Sequence, residues 1–185
     1  MNNNFYSILK QVSKPGRYSG GEYGQIIKDK EKVKARFAFA FPDTYEIGMS
    51  NLGVRILYDC LNREEDIWCE RVYDPWVDMQ EKMVEHGMPL WAHESKDPVR
   101  DFDFLGFTLQ YEMSYTNVLN MLELSGIPLR ASDRDDSFPI VIGGGPCAYN
   151  PEPVADFFDL FNIGEGESLL VEIVRLYIKM KDEGR

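Results

Sequence analysis

The residues of this chain best suited to hold a ligand are glycines that end apolar runs. Ile140-Val141-Ile142 stops at Gly143-Gly144-Gly145-Pro146, and Phe161-Asn162-Ile163 stops at Gly164-Glu165-Gly166-Glu167. A glycine at a strand's carboxyl end permits positive φ and lets the backbone approach a bound molecule closely. Two more loops follow apolar runs in the same way: Asp43-Thr44-Tyr45-Glu46-Ile47-Gly48 and Thr108-Leu109-Gln110-Tyr111-Glu112. Hydroxyl groups there, with backbone N–H groups at helix starts, suit a phosphate-bearing or amide-rich cofactor tail. The same glycines also make tight strand-to-helix turns, and both roles stay open at this level.

Other reactive side chains have plainer roles beside the functional ones. His86, next to Gly87, is placed to cap the last carbonyls of a helix. His93 could pair with Glu94 for acid–base work, but no further partner is visible, which points to a surface or interface role. Cys147 beside the glycine loop reads as a packed or idle thiol, since nothing near it in sequence would lower its pKa. Trp68, Trp76 and Trp91 read as core or interface residues. The carboxylates at Glu64-Glu65-Asp66 and from Asp78 to Glu85 read as a solvated helix face. Glu165 and Glu167 could bind a cation, meet a following domain or complement a helix dipole.

The elements that must position these loops alternate regularly. Arg36 to Phe41, Ile67 to Tyr73, Phe102 to Leu109, Ile140 to Ile142 and Leu160 to Ile163 are apolar runs of strand character. Between them, helical spacing appears from Met49 to Leu61 with Ser50 as a cap, from Pro75 to Glu85, from Ser114 to Leu124 and from Pro153 to Phe158. A longer helix follows through Leu169, Ile173, Leu176 and Met180. Pro89 to His93 reads as an extra edge strand. This order predicts an α/β fold: a doubly wound, mostly parallel five-stranded sheet of the Rossmann or flavodoxin-like kind, with an N-terminal extension. All four loops then meet at one sheet edge, where open α/β sheets bind ligands. The expected division is a basic extension over 1–35, possibly a hairpin, and the α/β domain over 36–185.

Composition fits one domain. The 185 residues are 44% hydrophobic and 28% charged, which are globular values. No apolar stretch is long enough to span a bilayer, and Met1-Asn2-Asn3-Asn4-Phe5 has no signal pattern. Cys60, Cys69 and Cys147 are scattered, which suits a reducing cytoplasm and no metal or cluster spacing. The net charge is −11, which disfavours broad contact with a nucleic acid backbone. Lys10 to Arg36 nevertheless carries a positive surplus. That lead-in reads either as a contact for RNA or another anionic partner, or as a solvated arm turning at Lys28-Asp29-Lys30-Glu31-Lys32.

Taken together, the motifs support a resemblance. Ile140 to Glu167, with Asn150-Pro151-Glu152-Pro153 inside it, resembles the amino-terminal cobalamin-binding-type domain of radical SAM proteins. Pro15-Gly16-Arg17-Tyr18-Ser19-Gly20-Gly21-Glu22-Tyr23 and Phe41 to Asn51 are similar to a subfamily whose long parent chains place this domain before an iron–sulfur barrel. The resemblance implies an accessory domain that binds a corrinoid or shapes the substrate site, with the barrel as its partner. The 4Fe-4S cluster and S-adenosylmethionine belong to that downstream barrel, because no cluster ligands are present here and no catalytic residue is expected in this part. Cofactor-binding positions by this resemblance are Asp43, Tyr45, Gly48, Thr108, Gly143, Gly144, Gly145, Gly164, Glu165 and Gly166. Such domains ligate cobalt through Asp-x-His-x-x-Gly; here Asp43 and Gly48 align, but Tyr45 stands at the histidine. A phenol is a poor cobalt ligand at neutral pH, so any cobalamin is expected without a histidine lower ligand. Two alternatives remain: a degenerate domain that only shapes or docks, and a flavodoxin-like module for a flavin or nucleotide.

Overall fold

The computed structural model describes residues 3–184. Five parallel strands form one sheet in the order β2-β1-β3-β4-β5. They are β1 (Ala35–Phe41), β2 (Ile67–Tyr73), β3 (Phe104–Thr108), β4 (Ile140–Gly144) and β5 (Leu160–Phe161). Ahead of the sheet lie α1 (Asn3–Leu9) and α2 (Gly16–Ser19). The remaining helices are α3 (Tyr45–Ser50), α4 (Leu52–Asn62), α5 (Val77–His86), α6 (Tyr115–Leu124) and α7 (Gly166–Asp182). The doubly wound α/β expectation therefore holds.

Strand alternation divides the core into two layers. On one face Phe37, Phe39, Phe104 and Ile142 pack under Val54, Tyr58 and Leu61 of α4 and Leu170, Val174 and Ile178 of α7. On the other, Ala38, Ala40, Leu105, Phe107 and Val141 meet Met79 and Met83 of α5 and Val118, Met121 and Leu122 of α6. Phe5, Ile8 and Leu9 of α1 join this second layer.

Four sequence expectations need correction. Ser50 does not cap the helix after β1; its hydroxyl donates to the Ile47 carbonyl within α3, and the Asn51 side chain accepts from the Val54 N–H to start α4. The helix after Pro75 starts two residues later, at Val77, and is closed by Gly87 in the left-handed region. Pro89 to His93 does not become a sixth strand. Trp91 makes only an isolated bridge with Pro98, while the His93 N–H donates to the Arg71 carbonyl at the open edge of β2. The lead-in is no hairpin: among its described residues α1 and α2 are helical and Phe5, Ile8, Leu9, Val12 and Tyr18 are buried, while residues 20–34 run over the surface as the solvated arm does. Phe5 and Tyr18 both set their rings edge-on to Trp91, at 5.2 and 6.2 Å between centroids.

Its charges turn inward to the domain as well. The Lys28 ammonium donates to the carbonyls of Asn62, Glu64 and Ile67, Lys30 pairs with Asp97, and Lys34 pairs with Asp182. Arg17 and Lys14 both reach Glu46. The turn at 29–32 is present, closed by the Lys32 N–H on the Asp29 carbonyl.

Gly106 in the middle of β3 is demanded by packing. A Cβ there would lie 2.5 Å from the ring of Phe37, which is fully buried and stacked on Phe104. Gly106→Ala is expected to cost about 1–3 kcal/mol, the usual range for overpacking a core. Gly16→Ala, with nothing within 4 Å of the added carbon, serves as the reference substitution. Equal urea midpoints for the two variants would remove this explanation.

Candidate functional site

The carboxyl edge of the sheet holds an open-mouthed cavity of about 240 Å³ on the α4–α7 side. Phe37 and Phe39 of β1 and Ile142 of β4 make an apolar floor, and Leu57 of α4 with Leu170 of α7 makes the walls. The rim comes from the strand-end loops: Thr108 and Gln110 after β3, Gly144 and Gly145 at β4, and Asn162 with Gly164, Glu165, Gly166 and Glu167 after β5. A larger groove of about 890 Å³ opens at the opposite edge, near Phe102, Phe138 and Tyr177. In an open parallel sheet the carboxyl edge is the ligand edge, so the smaller cavity is the candidate.

Of the residues singled out from sequence, Thr108, Gly144, Gly145, Gly164, Glu165 and Gly166 line this cavity; Asp43, Tyr45, Gly48 and Gly143 do not. Each position has a local physical account. Thr108 Oγ1 accepts from Gln110 Nε2 at 2.6 Å. The β3 and β4 loops are stitched together, with the Leu109 N–H on the Gly144 carbonyl and the Cys147 N–H on the Leu109 carbonyl. Gly145 allows this stitch, since its φ is 95° and a Cβ would lie 3.0 Å from the Leu109 carbonyl oxygen. Gly164, at φ 115°, faces open space. Gly143 has no side chain because the Phe161 ring occupies that place, 2.7 Å from where a Cβ would stand. Gly48 yields in the same way to the Tyr73 ring at 2.5 Å. Asp43 accepts from the Tyr111 hydroxyl and from the Thr44 N–H.

Residues 53–185 match the family described as radical SAM proteins, N-terminal. The chain belongs to that family. A curated relative, the uncharacterized protein MJ0966 of Methanocaldococcus jannaschii, is 26% identical over 146 residues. The matched region is 77% of this chain and 27% of the relative, so the chain spans about a quarter of that protein's length.

In this radical SAM N-terminal domain, Tyr45 belongs to a second cluster that sequence reading missed. Its ring stacks on His93 at 5.3 Å and meets Tyr73 edge-on at 5.5 Å. His93 is 4% exposed, which removes the surface half of the surface-or-interface role expected for it, and its Nε2 hydrogen-bonds Glu22 of the lead-in. Glu94 does not pair with His93; its Oε1 accepts from Arg71 Nε at 2.6 Å, and its Oε2 accepts from the Arg71 N–H. Burial alone would raise Glu22, but the His93 hydrogen bond, with Arg71 nearby, holds it well below the usual carboxylate range. Burial lowers His93, so a neutral imidazole donating to ionised Glu22 describes the pair. Charged residues inside an apolar strand, such as Arg36, Glu70 and Arg71, were the available signal. A charge in a strand buried on both faces requires a partner.

The remaining candidates behave more simply. Trp68 and Trp91 are buried, whereas Trp76 is half exposed. Burial raises the Cys147 thiol, which argues against a reactive thiolate. Glu64 and Asp66 are not merely solvated: both bind Arg175 of α7. Among the described residues, no group of three or more His, Cys, Asp or Glu side chains could hold a metal ion, and no helix is long and apolar enough to cross a membrane.

Proposed function

We propose that this chain is the accessory domain of a longer radical SAM enzyme, and that the carboxyl edge of its sheet faces the iron–sulfur barrel. The apolar exposure of that edge supports the reading. Ile47, Leu52, Trp76, Val77, Tyr111, Met113, Tyr149 and Ile163 come from the segments after all five strands, and each is more than a third exposed. Met113 reaches 84% and Tyr149 71%. Apolar surface gathered around one face marks an interaction site.

Between the two domains the cavity would receive part of a cofactor or substrate. A corrinoid fits only in part. At about 240 Å³ the space is below the roughly 300–1,000 Å³ of ordinary small-molecule sites, enough for a tail group. No histidine lines the cavity, and Tyr45 is committed to His93 and Tyr73. Any corrinoid here is therefore held without a histidine lower ligand. A docking-only role has support of its own: the notches at Gly48, Gly106 and Gly143 are filled by Tyr73, Phe37 and Phe161 of the protein itself.

The test uses the full-length parent enzyme. Met113→Glu with Tyr149→Glu should leave dithionite-driven cleavage of S-adenosylmethionine intact. It should lower substrate turnover at least tenfold and open the junction after α7 to trypsin. Wild-type turnover and protease resistance in the double variant would refute the docking face. Hydroxocobalamin titration of the same enzyme should give no histidine-ligated spectrum, with His86→Ala leaving the result unchanged. A spectrum that required a protein histidine would overturn the cofactor reading.

A further inference from the structure

We propose that the groove at the amino edge of the sheet seats a helix of the parent enzyme itself: the segment that follows α7 turns back at Gly184 and packs antiparallel along α7. This rests on the reading of the chain as the N-terminal domain of a longer enzyme and adds where the next segment goes.

Helix α7 carries two apolar stripes. Leu170, Val174 and Ile178 face the sheet and are buried. Leu169, Ile173, Leu176 and Met180 follow one another at spacings of 4, 3 and 4 residues, the period of a seam between two helices. Leu176 is 58% exposed and Met180 42%, so among the described residues this second stripe is left uncovered. Tyr177 sets α7 over β3, its ring edge-on to Phe104 at 4.9 Å. Beyond it Ile140 of β4 and Leu160 of β5 are half-buried, and with Ile173, Leu176 and Met180 they line the groove of about 890 Å³. At the amino edge, β4 and β5 thus lack on this face the helix layer that a doubly wound sheet places on both sides.

The end of α7 indicates what covers the stripe. The helix runs from the carboxyl edge back to the amino edge, where Lys181 pairs with Asp103 and Asp182 with Lys34. Gly184 then takes a left-handed φ of 72°, and its N–H donates to the Lys181 carbonyl. That geometry ends a helix and turns the chain off its axis. The next residues start beside the groove, and helices joined by a short turn lie antiparallel. From Leu169 to Met180 the stripe is about three turns long, roughly 16 Å, a seat for a helix of ordinary length. Exposed Glu172 and Lys179 flank it. An antiparallel partner meets Lys179 with its first turns and Glu172 with its last, so it should start acidic and end basic, as its own dipole also favours. A second copy would reach this stripe only at its free concentration, whereas a tethered segment acts at a local concentration on the order of millimolar.

Maleimide labelling of Leu176→Cys, read by mass spectrometry of the α7 peptide, tests the proposal. Three proteins are compared: this chain, the same chain extended by about thirty residues of its parent, which allows a turn and a helix of several turns, and the full-length parent. Each rate is taken relative to that of the same protein unfolded in guanidinium. Labelling should be fast in this chain and at least tenfold slower in both longer proteins. Any other pattern overturns the inference. Slow labelling in the full-length parent alone assigns the groove to the barrel. Slow labelling of this chain that dilution relieves assigns it to a second copy, and fast labelling of the parent leaves the groove open. If one of these is found while Met113→Glu with Tyr149→Glu still lowers turnover of the parent, the accessory-domain reading stands and only the seat of the next segment falls.

Discussion

Replacing Arg71 by leucine is expected to cost about 3–5 kcal/mol of folding stability, the range for breaking a buried ion pair from one side. Glu94 has a fully buried side chain and relies on Arg71 for its charged partner. The guanidinium also lies 4.6 Å from the centre of the Tyr58 ring and donates to the sulfur of Met49. Without Arg71, burial drives Glu94 upward and the carboxyl takes a proton; even with Arg71 present, burial raises it. The loss should therefore deepen as pH rises, because the unfolded chain releases that proton more easily. For a chain of this size the cost corresponds to a fall of roughly 6–20 °C in Tm. Glu46→Gln, which breaks only the exposed pairs with Lys14 and Arg17, should cost less than about 1 kcal/mol. Urea midpoints separate the two cases, and an Arg71→Leu midpoint no lower than that of Glu46→Gln would contradict the assignment.

Asp74→Asn is expected to stabilise the protein at alkaline pH. Burial raises the Asp74 carboxyl to about 7, opposed by a hydrogen bond from Asn120 and reinforced by the Asp43 charge. The folded state thus holds this proton more tightly than the unfolded chain does. Its contribution is full below the unfolded pKa near 4 and is lost as pH rises through about 7. Asparagine keeps the acceptor for Asn120 and removes the charge. The variant should match the wild type near pH 4 and exceed it by about 4 kcal/mol at pH 8. Parallel melting curves across that range check it: a gap that does not widen with pH would show that Asp74 is already solvated when folded.

Much of the sheet was legible because its strands are uninterrupted apolar runs with abrupt ends. Phe41-Pro42-Asp43 announces where β1 stops, whereas β4 runs two residues past Ile142, through Gly143 and Gly144. Boundaries were less legible where two residues share one propensity. Ser50 and Asn51 are both cap formers, and only the placement of α3 decides between them. The rim of the cavity was visible as glycines, yet Asn162, which also lines it, looked like an ordinary strand residue. The cluster around His93 was hidden for another reason. Its partner Glu22 is 71 residues away, and no local pattern reports a contact that depends on how the chain folds back.

That return of the chain has a kinetic side. Tyr18 and Glu22 close onto Trp76 and His93, so this strap has no complete seat until the chain has been made as far as His93. Closing so long a loop adds little to the equilibrium cost, about 0.6 kcal/mol for each doubling of length, but it delays the event. The region matched to the family starts at residue 53, after both this strap and β1, the strand that joins β2 to β3. The smallest piece able to fold is accordingly larger than the stretch by which its ancestry is recognised.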